Sequence, residues 1–369
     1  MKVNKAIDEI MYSEINKSQF MQFLTNGALV QSGTDSFILF LNELEASATK
    51  KLHFYNTSFW DFTGESSDPS FDRQYSAYFE LNRKQFIEQL LNAQKSADFG
   101  DSVVIDWQKP QNKAFVQQFD WIQNKIKHGQ LIKGLPLILQ TGQATSQFNL
   151  PNTLLTFLNK NLPTVFLYGS WEGSSGFLGA TPEVLFRLEN NEIQTMALAG
   201  TWSKVNPEVI DFDDAKTVNE HQIVVDDIQN QMKKFELLFQ SPTHVKELKH
   251  LFHLETNFKY AYNGLPLKEI VSSLHPTAAL GLYPRRLELF TQFQQLELQN
   301  QRGNFGAPIG FYNEHRAFML VGIRNFYWHN NEFKIFSGCG VTKDSQVQAE
   351  LDELEYKRNS VKEMFGFNL

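Results

Sequence analysis

Acidic and basic side chains recur along one face of the helix that the sequence predicts over residues 345–365. Glu350, Glu353 and Lys357 stand at positions i, i+3 and i+7, which places them on one side of a helix. The common interpretation is a solvated face with one helical ion pair. The alternative is a pair of carboxylates that binds a hard cation such as Mg²⁺, beside a lysine that faces an anion. Spacing does not distinguish the two.

Two small-residue segments and one arginine are candidates for binding an anionic ligand. The segments Ala199-Gly-Thr201 and Ser337-Gly-Cys-Gly340 leave backbone N–H groups open to an anion, although each could equally be a tight turn. Arg324 lies inside residues 318–328, which are predicted as one long strand. Because a buried strand rarely contains an unpaired arginine, an inward Arg324 predicts a carboxylate ligand.

Further residues are candidates for acid–base or metal chemistry. Lys133 precedes an apolar run, where desolvation would favour the neutral amine that a general base needs. Glu183 begins a predicted strand, and a carboxyl in apolar surroundings has a raised pKa and can act as a general acid. Either residue could instead be an ordinary charge at a strand edge. Glu220 and His221 form a weaker candidate metal site, because such pairs usually lie on the surface.

The elements that must position these residues are two groups of strands and several helices. Strand-like segments fill residues 164–198 and 307–338, each group with polar turns between its members. Helices are predicted at about 113–128, 213–238 and 345–365. Helices between antiparallel meanders predict an α+β fold in which helices cover two sheets. Residues 1–110 contain strand-like pieces and surface turns at 66–69 and 99–102, but no group that carries chemistry.

The composition excludes several classes of protein. The chain has 369 residues, enough for one large domain or two ordinary ones. A formal net charge of −7 without a long basic run argues against nucleic-acid binding. One cysteine, Cys339, excludes an intramolecular disulfide and a cysteine-rich zinc site. Neither a signal peptide nor a membrane-spanning run is evident, so a cytoplasmic, soluble enzyme or small-molecule-binding protein is expected.

The order of the candidate residues along the chain is more specific than any one of them. After Lys133 the series contains Ala180-Thr-Pro-Glu183, Ala197-Leu-Ala-Gly-Thr201, Glu220-His221, His253-Leu-Glu-Thr256, Leu274-His-Pro-Thr-Ala-Ala-Leu280, Arg302-Gly303, Ile323-Arg324, Gly338-Cys-Gly340 and Glu350-x-x-Glu353-x-x-x-Lys357. This series resembles the chorismate-utilising enzymes, the family of anthranilate, aminodeoxychorismate, salicylate and isochorismate synthases. The resemblance covers roughly residues 120–369.

The resemblance implies both a fold and a site. The fold is one large domain with two antiparallel sheets flanked by helices around a deep cleft, in which a variable portion, 1–110, packs on a catalytic core, 111–369. Mg²⁺ would be held by Glu220 and Glu353, with Glu350 acting through water. The carboxylates of chorismate would be held by Arg324, Lys357 and the amides around Gly338 and Gly340. Further walls of the site would be formed by Gly200, Thr201, His253 and Ala279. Such a site suits a dianion, whose charge is offset by cations and open amides.

Three positions favour isochorismate synthase within the family. Lys133 matches the lysine that, in the isochorismate and salicylate enzymes, activates water to attack ring atom C2, and Glu183 then protonates the departing C4 hydroxyl. Ala199 stands where aminodeoxychorismate synthase has a nucleophilic lysine. Ala279 matches the alanine of isochorismate synthase where salicylate synthase has threonine. The resemblance therefore implies an Mg²⁺-dependent isomerase that works as a monomer, with no glutaminase partner, nucleic acid or membrane.

Three alternatives remain open beside this interpretation. They are a salicylate synthase, an anthranilate synthase-like enzyme and a chorismate-binding protein without turnover. The positions that depart from the family include Thr217, which stands where an acidic residue is common, and Leu282, which replaces a glycine. Isochorismate could serve menaquinone or siderophore biosynthesis, and the sequence favours neither.

Overall fold

The computed structural model describes residues 14–42, 52–63, 75–96, 103–203, 215–247 and 251–369. The turns predicted at 66–69 and 99–102 lie outside these ranges. Within them, helices and two large antiparallel sheets form the α+β arrangement that the sequence predicts. None of the described helices is both long and apolar enough to cross a membrane.

The first sheet has nine described strands and is antiparallel throughout. In spatial order they are β4 (Ala77–Asn82), β2 (Ser36–Leu41), β1 (Asn26–Gln31), β8 (Phe166–Glu172), β9 (Ser175–Thr181), β18 (Asn325–His329), β19 (Glu332–Gly338), β7 (Leu137–Ala144) and β5 (Ile105–Trp107). Residues before 111 therefore supply four of its strands. The boundary between residues 110 and 111 remains a prediction.

The second sheet has eight described strands and is also antiparallel. In spatial order they are β12 (Leu237–Gln240), β14 (Leu251–Ala261), β11 (Glu192–Ser203), β10 (Val184–Glu189), β17 (Ala317–Val321), β16 (Pro308–Tyr312) and β3 (His53–Asn56), while β13 (His244–Glu247) also pairs with β14. A separate two-stranded ribbon joins β6 (Lys133–Gly134) to β15 (Leu282–Tyr283).

Eight described helices cover the outer faces of the sheets. They are α1 (Lys17–Thr25), α2 (Arg83–Ser96), α3 (Asn112–Lys127), α4 (Leu150–Asn159), α5 (Ala215–Gln231), α6 (Leu267–Leu274), α7 (Leu287–Gln294) and α8 (Val347–Phe365), and a short 3₁₀ turn spans Phe59–Thr63. The helix predicted over 213–238 is too long at its end, because the apolar residues that extended its pattern form the edge strand β12 instead.

The two sheets pack face to face. On β2, Ile38 and Phe40 belong to a buried cluster between the sheets with Phe311 and Leu320 of the second sheet, whereas Leu39 belongs to the cluster under the helices. Successive strand residues point to opposite faces, so a strand with both faces buried is apolar throughout. The layers are therefore helix, sheet, sheet and helix.

The chain passes from one sheet to the other at two neighbouring points. Residues 182–183, here the first crossing, join β9 to β10, and residues 322–324, the second crossing, join β17 to β18. The crossings are tied together: the Ala180 amide donates to the Arg324 carbonyl, and the Val321 amide donates to the Glu183 carbonyl, each at 3.1 Å. The two predicted catalytic-site residues Glu183 and Arg324 thus lie side by side in space.

The single strand predicted over 318–328 is wrong at the second crossing. The chain leaves the second sheet after Val321 and enters the first sheet at Asn325, so Arg324 lies between strands rather than inside one. Arg324 has a φ of 57°, a left-handed conformation that non-glycine residues adopt rarely. Apolar residues continue on both sides of the break, which is why the sequence pattern indicated one strand.

Candidate active site

A cleft opens where the two crossings face helices α5 and α8. It encloses about 740 Å³ of space, a volume that includes the open solvent at its mouth. Twelve of the thirteen residues predicted for the site line this cleft: Lys133, Glu183, Gly200, Thr201, Glu220, His253, Ala279, Arg324, Gly338, Gly340, Glu353 and Lys357. The thirteenth, Glu350, does not line it.

Lys133 enters the cleft from the short ribbon of β6 and β15. Its backbone pairs with Tyr283, while Gly134 beside it exchanges two hydrogen bonds with Val341, at 3.0 and 2.8 Å. The side chain is only 1% exposed, and its Nζ lies 3.0 Å from Oε1 of Glu220. The desolvation predicted for Lys133 is therefore observed, together with an ion pair that the sequence did not indicate.

Gly340 makes room for this ion pair. A Cβ atom at Gly340 would lie 2.0 Å from Oε1 of Glu220 and 2.5 Å from Cε of Lys133. Real Cβ atoms do not approach other atoms so closely, so glycine is required here by the close approach of side chains. The small-residue segment after β19 therefore serves to bring the backbone against the carboxylate of α5.

A second ion pair faces the first from α8. Nζ of Lys357 lies 2.6 Å from Oε1 of Glu353 and donates a hydrogen bond to the Gly338 carbonyl at 2.8 Å. The helical spacing of the two residues predicted this pair. The contact with the Gly338 carbonyl places the Lys357 ammonium at the end of β19, in the lining of the cleft.

Glu350 lies behind the wall of the cleft. Its side chain is buried and forms an ion pair with Lys216 at 2.7 Å. Burial raises the pKa of Glu350, the charge of Glu353 raises it further, and Lys216 opposes both effects. Glu350 is thus paired with a residue of α5, and nothing in the sequence indicated this partner.

Glu183 has a different environment from the other carboxyl groups. It lies on the first crossing, is 5% exposed, and its backbone amide is held by the Thr181 hydroxyl at 3.2 Å. Burial raises its pKa to about 7, although the charges of Lys133, Lys357 and Lys246 act in the opposite direction. A carboxyl group with this pKa holds a proton near neutral pH and can donate it, as a general acid must.

Arg324 provides a buried cation beside Glu183. Burial lowers its pKa to about 10, against the charge of Glu353, so the guanidinium remains protonated at neutral pH. A buried guanidinium directed into a cleft favours a carboxylate ligand, because a carboxylate can accept two parallel hydrogen bonds from it. Arg324 thus points inward, as its predicted role in binding a carboxylate requires.

The wall opposite α8 is built from β11 and β14. Gly200 has a φ of 76° and forms a bulge in β11, so Thr201 faces His253 across the pair of strands. The Thr201 hydroxyl and His253 Nδ1 are hydrogen-bonded at 3.1 Å. Burial and the charges of Arg324 and Lys357 hold the pKa of His253 well below its usual range, so its imidazole is neutral.

A buried ion pair between Asp227 and Arg285 holds the segment that contains Ala279. The sequence analysis did not predict this pair. Asp227 is fully buried on α5; its Oδ2 accepts from the Ala278 amide and from Nη2 of Arg285, both at 2.8 Å. This pair fixes the segment next to Ala279 onto the helix that carries Glu220. The only signal in the sequence was an aspartate within the apolar patch of that helix.

The carboxylates that face the cleft fit a magnesium ion. Among the residues that the structure describes, no group of three or more His, Cys, Asp or Glu side chains is arranged to hold a metal. Glu220 and Glu353 nevertheless line the same cleft from α5 and α8. Mg²⁺ is commonly held by one or two carboxylates, with water and substrate oxygens completing its coordination. The donors present therefore suit Mg²⁺ through two residues, while Glu350 does not line the cleft.

The charges of the cleft define the class of ligand. Arg324 and Lys357 offer cations, and the backbone near Gly338 and Gly340 approaches the same space, which together suit a small polyanion. The family model described as chorismate binding enzyme matches residues 39–366. The chain therefore belongs to the chorismate-binding enzyme family. The resemblance found in the sequence is confirmed.

Individual relatives agree with this membership. Salicylate biosynthesis isochorismate synthase of Pseudomonas aeruginosa is 30% identical over 210 residues, covering 53% of this chain and 43% of that protein. Anthranilate synthase component 1 of Neisseria meningitidis serogroup B is 24% identical over 226 residues, covering 57% and 45%. Each match thus spans less than half of the relative's length.

A solved structure supports the fold. The menaquinone-specific isochorismate synthase MenF of Escherichia coli aligns with a TM-score of 0.72 at 17% identity, covering 96% of this chain and 92% of that chain. Two antiparallel sheets with helices around a cleft are therefore the family fold, as predicted.

Proposed function

We propose that this protein is an isochorismate synthase, an isomerase that converts chorismate to isochorismate. The observation that carries the proposal is the placement of Lys133 and Glu183, both buried, in one cleft that the cations of Arg324 and Lys357 also line. A base and an acid are the two groups that this isomerisation needs, and a dianionic substrate needs the cations.

Lys133 is proposed as the general base, acting as the neutral amine that its ion pair with Glu220 leaves after the loss of one proton. It removes a proton from water as the water oxygen bonds to ring atom C2 of chorismate. The Glu220 carboxylate, 3.0 Å from Nζ, orients the amine and stabilises the ammonium that forms. Burial of the side chain keeps bulk water away from the amine.

Glu183 is proposed as the general acid. As the new C2–O bond forms, the two ring double bonds shift, and the C4–O bond breaks. Glu183 gives its proton to the departing hydroxyl, which leaves as water. One water enters and one leaves, so the reaction is an isomerisation. A pKa of about 7 makes Glu183 available in the protonated form.

Arg324 and Lys357 are proposed to bind the carboxylates of the substrate. Glu220 and Glu353 would hold Mg²⁺, which would supply a Lewis acid for the ring carboxylate. Because water is the nucleophile, the proposed reaction needs no ammonia and hence no glutaminase partner. We propose that the enzyme works as a monomer in the cytoplasm.

The direct test is to incubate the purified protein with chorismate and Mg²⁺ and to separate the products by chromatography with mass detection. The expected result is a product isomeric with chorismate that disappears when EDTA is added. Salicylate with pyruvate would move the protein to the salicylate synthases, and unchanged chorismate would favour a binding protein without turnover.

Lys133→Ala tests the base within the same assay. Turnover is expected to fall by roughly a thousandfold, since a positioned acid or base contributes about 10²–10⁴ in rate. Lys127→Ala, on the exposed end of α3, is the control and should retain full activity. Near-normal turnover of Lys133→Ala would refute the assignment.

A further inference from the structure

Tyr168 connects the middle of the first sheet to the second crossing. It lies on β8 with no exposed surface, and its hydroxyl donates a hydrogen bond to the Ile323 carbonyl at 2.7 Å. Ile323 immediately precedes Arg324. The crossing leaves both sheets, so its carbonyl groups need partners from elsewhere, and this hydroxyl provides one of them.

The path of the Tyr168 side chain depends on a glycine in the neighbouring strand. Gly179 on β9 pairs with Tyr168 on one side and with Asn325 on the other. A Cβ atom at Gly179 would lie 2.5 Å from the Tyr168 hydroxyl oxygen and 2.6 Å from Cβ of Asn325. The missing side chain at Gly179 therefore lets the phenol cross β9 and reach the chain at residue 323.

The backbone that Tyr168 contacts is unusual. Arg324 has a φ of 57°, and such a conformation persists in a non-glycine residue only when its surroundings hold it. Two hydrogen bonds do so: the Tyr168 hydroxyl binds the carbonyl before Arg324, and the Ala180 amide binds the Arg324 carbonyl at 3.1 Å. These bonds fix the direction in which the guanidinium leaves the backbone.

We propose that Tyr168 is a positioning residue that directs Arg324 toward the carboxylate of the substrate. The inference rests on the proposed function, because it assumes that Arg324 binds an anionic substrate. Tyr168 touches no substrate itself and acts through the Ile323 carbonyl. Without the hydroxyl, the peptide before Arg324 loses its buried donor, and the left-handed conformation loses one of its two supports.

The test is the kinetics of Tyr168→Phe with chorismate. We expect KM to rise by about tenfold, because part of the free enzyme would then hold Arg324 in an orientation that does not bind the substrate, and affinity falls with the fraction that is competent to bind. The value of kcat should change by less than about twofold, because an interaction made equally in the ground and transition states affects KM alone. A purely structural role would lower the melting temperature without this separation of KM from kcat.

Two further variants make the test decisive. Tyr260→Phe is the matched control, since the Tyr260 hydroxyl is buried and has no hydrogen-bond partner in the described part of the chain; its KM should equal that of the wild type. Gly179→Ala should raise KM as Tyr168→Phe does, because the added methyl displaces the phenol, and it keeps the test available if Tyr168→Phe does not fold.

Failure of the inference is distinct from failure of the proposed function. If the wild type converts chorismate but both variants keep its KM, the positioning role is refuted while the activity stands. If the wild type does not convert chorismate, the proposed function fails. The dissociation constant for chorismate, measured by calorimetry on the same variants, then decides the positioning role: an increase supports it and unchanged binding refutes it.

Discussion

The glutamates on the two sides of the cleft have opposite surroundings. Glu220 and Glu353, on helices α5 and α8, each face a lysine ammonium at 3.0 Å or less. Glu183, on the first crossing, forms no such ion pair within the described residues, and burial raises its pKa to about 7. One residue type thus has two environments, which fit the two tasks proposed for it: the binding of a cation by Glu220 and Glu353 and the transfer of a proton by Glu183.

The element that carries each residue explains this difference. A helix places Glu353 and Lys357 one turn apart, so each carboxylate can have a cation on its own or a neighbouring element. A crossing between two sheets passes through the protein interior, where a carboxyl group has little water and no adjacent turn to supply a partner. The comparison predicts that variants on the two sides will fail in different ways.

The largest effect is expected at Glu183, on the side of the cleft formed by the first crossing. Glu183→Gln keeps the shape of the side chain but cannot donate a proton, so turnover should fall by roughly 10²–10⁴ with Mg²⁺ dependence unchanged. Initial rates across a Mg²⁺ titration measure both quantities. Glu189→Gln, at the exposed end of the next strand, is the control. Retained turnover would remove Glu183 from the mechanism.

A smaller effect, a loss of Mg²⁺ affinity, is expected on the side of the cleft formed by helices α5 and α8. Glu353→Gln should weaken Mg²⁺ binding by roughly 10- to 100-fold, because a neutral amide is a poorer ligand for a hard cation. Calorimetric titration with Mg²⁺ measures this without relying on activity. Asp352→Asn, on the exposed side of α8, should bind as the wild type does. An unchanged titration of Glu353→Gln would refute the metal assignment.

Gly340→Ala should affect the same side of the cleft as Glu353→Gln, because it displaces Glu220. Its Cβ would lie 2.0 Å from Glu220, so the carboxylate must move, and Mg²⁺ affinity should fall by roughly tenfold. Gly33→Ala is the matched control, since a Cβ there meets nothing within 4 Å. Equal Mg²⁺ affinities for the two alanine variants would show that the position of Glu220 is unimportant for the metal.

The last expected effect is on stability rather than on turnover or Mg²⁺ affinity. The folded pKa of Glu183, about 7, lies above the ordinary 4.5, so the stability that its proton provides is present below pH 4.5 and lost as the pH rises through 7. Between pH 5 and pH 8, the free energy of unfolding of Glu183→Gln should therefore gain up to about 3 kcal/mol relative to that of the wild type. Urea unfolding of both proteins at pH 5 and at pH 8 measures this difference. A free energy of unfolding that changes equally with pH in the two proteins would contradict the raised pKa of Glu183.

Much of the site could be predicted from the sequence because its order of motifs is specific. Lys133, Glu183 and Arg324 were placed in one site by resemblance alone, and the structure brings them into one cleft. The ion pair of Lys133 with Glu220 was not predicted, because it joins β6 to α5 and no local spacing indicates which distant residues meet.

The parts of the fold that the sequence did not indicate are those where the chain changes layer. Residues 318–328 are apolar enough for one strand, and only the three-dimensional pairing of β17 and β18 with different sheets reveals the break at Arg324. The same limit applies to Tyr168 and Gly179. Each has an ordinary strand pattern, and their relation to Arg324 exists only across three strands.

In the proposed mechanism water attacks C2 while the C4 hydroxyl departs, and isotope labelling follows this exchange of oxygen atoms. The enzyme is incubated with chorismate and Mg²⁺ in water enriched in oxygen-18, and the product is analysed by mass spectrometry. At initial rates, before the reverse reaction labels the substrate, the proposed mechanism predicts isochorismate that carries one oxygen-18 atom, with the remaining chorismate unlabelled. Isochorismate without the label would contradict it, because the hydroxyl would then have moved within the substrate and Lys133 would have no water to activate.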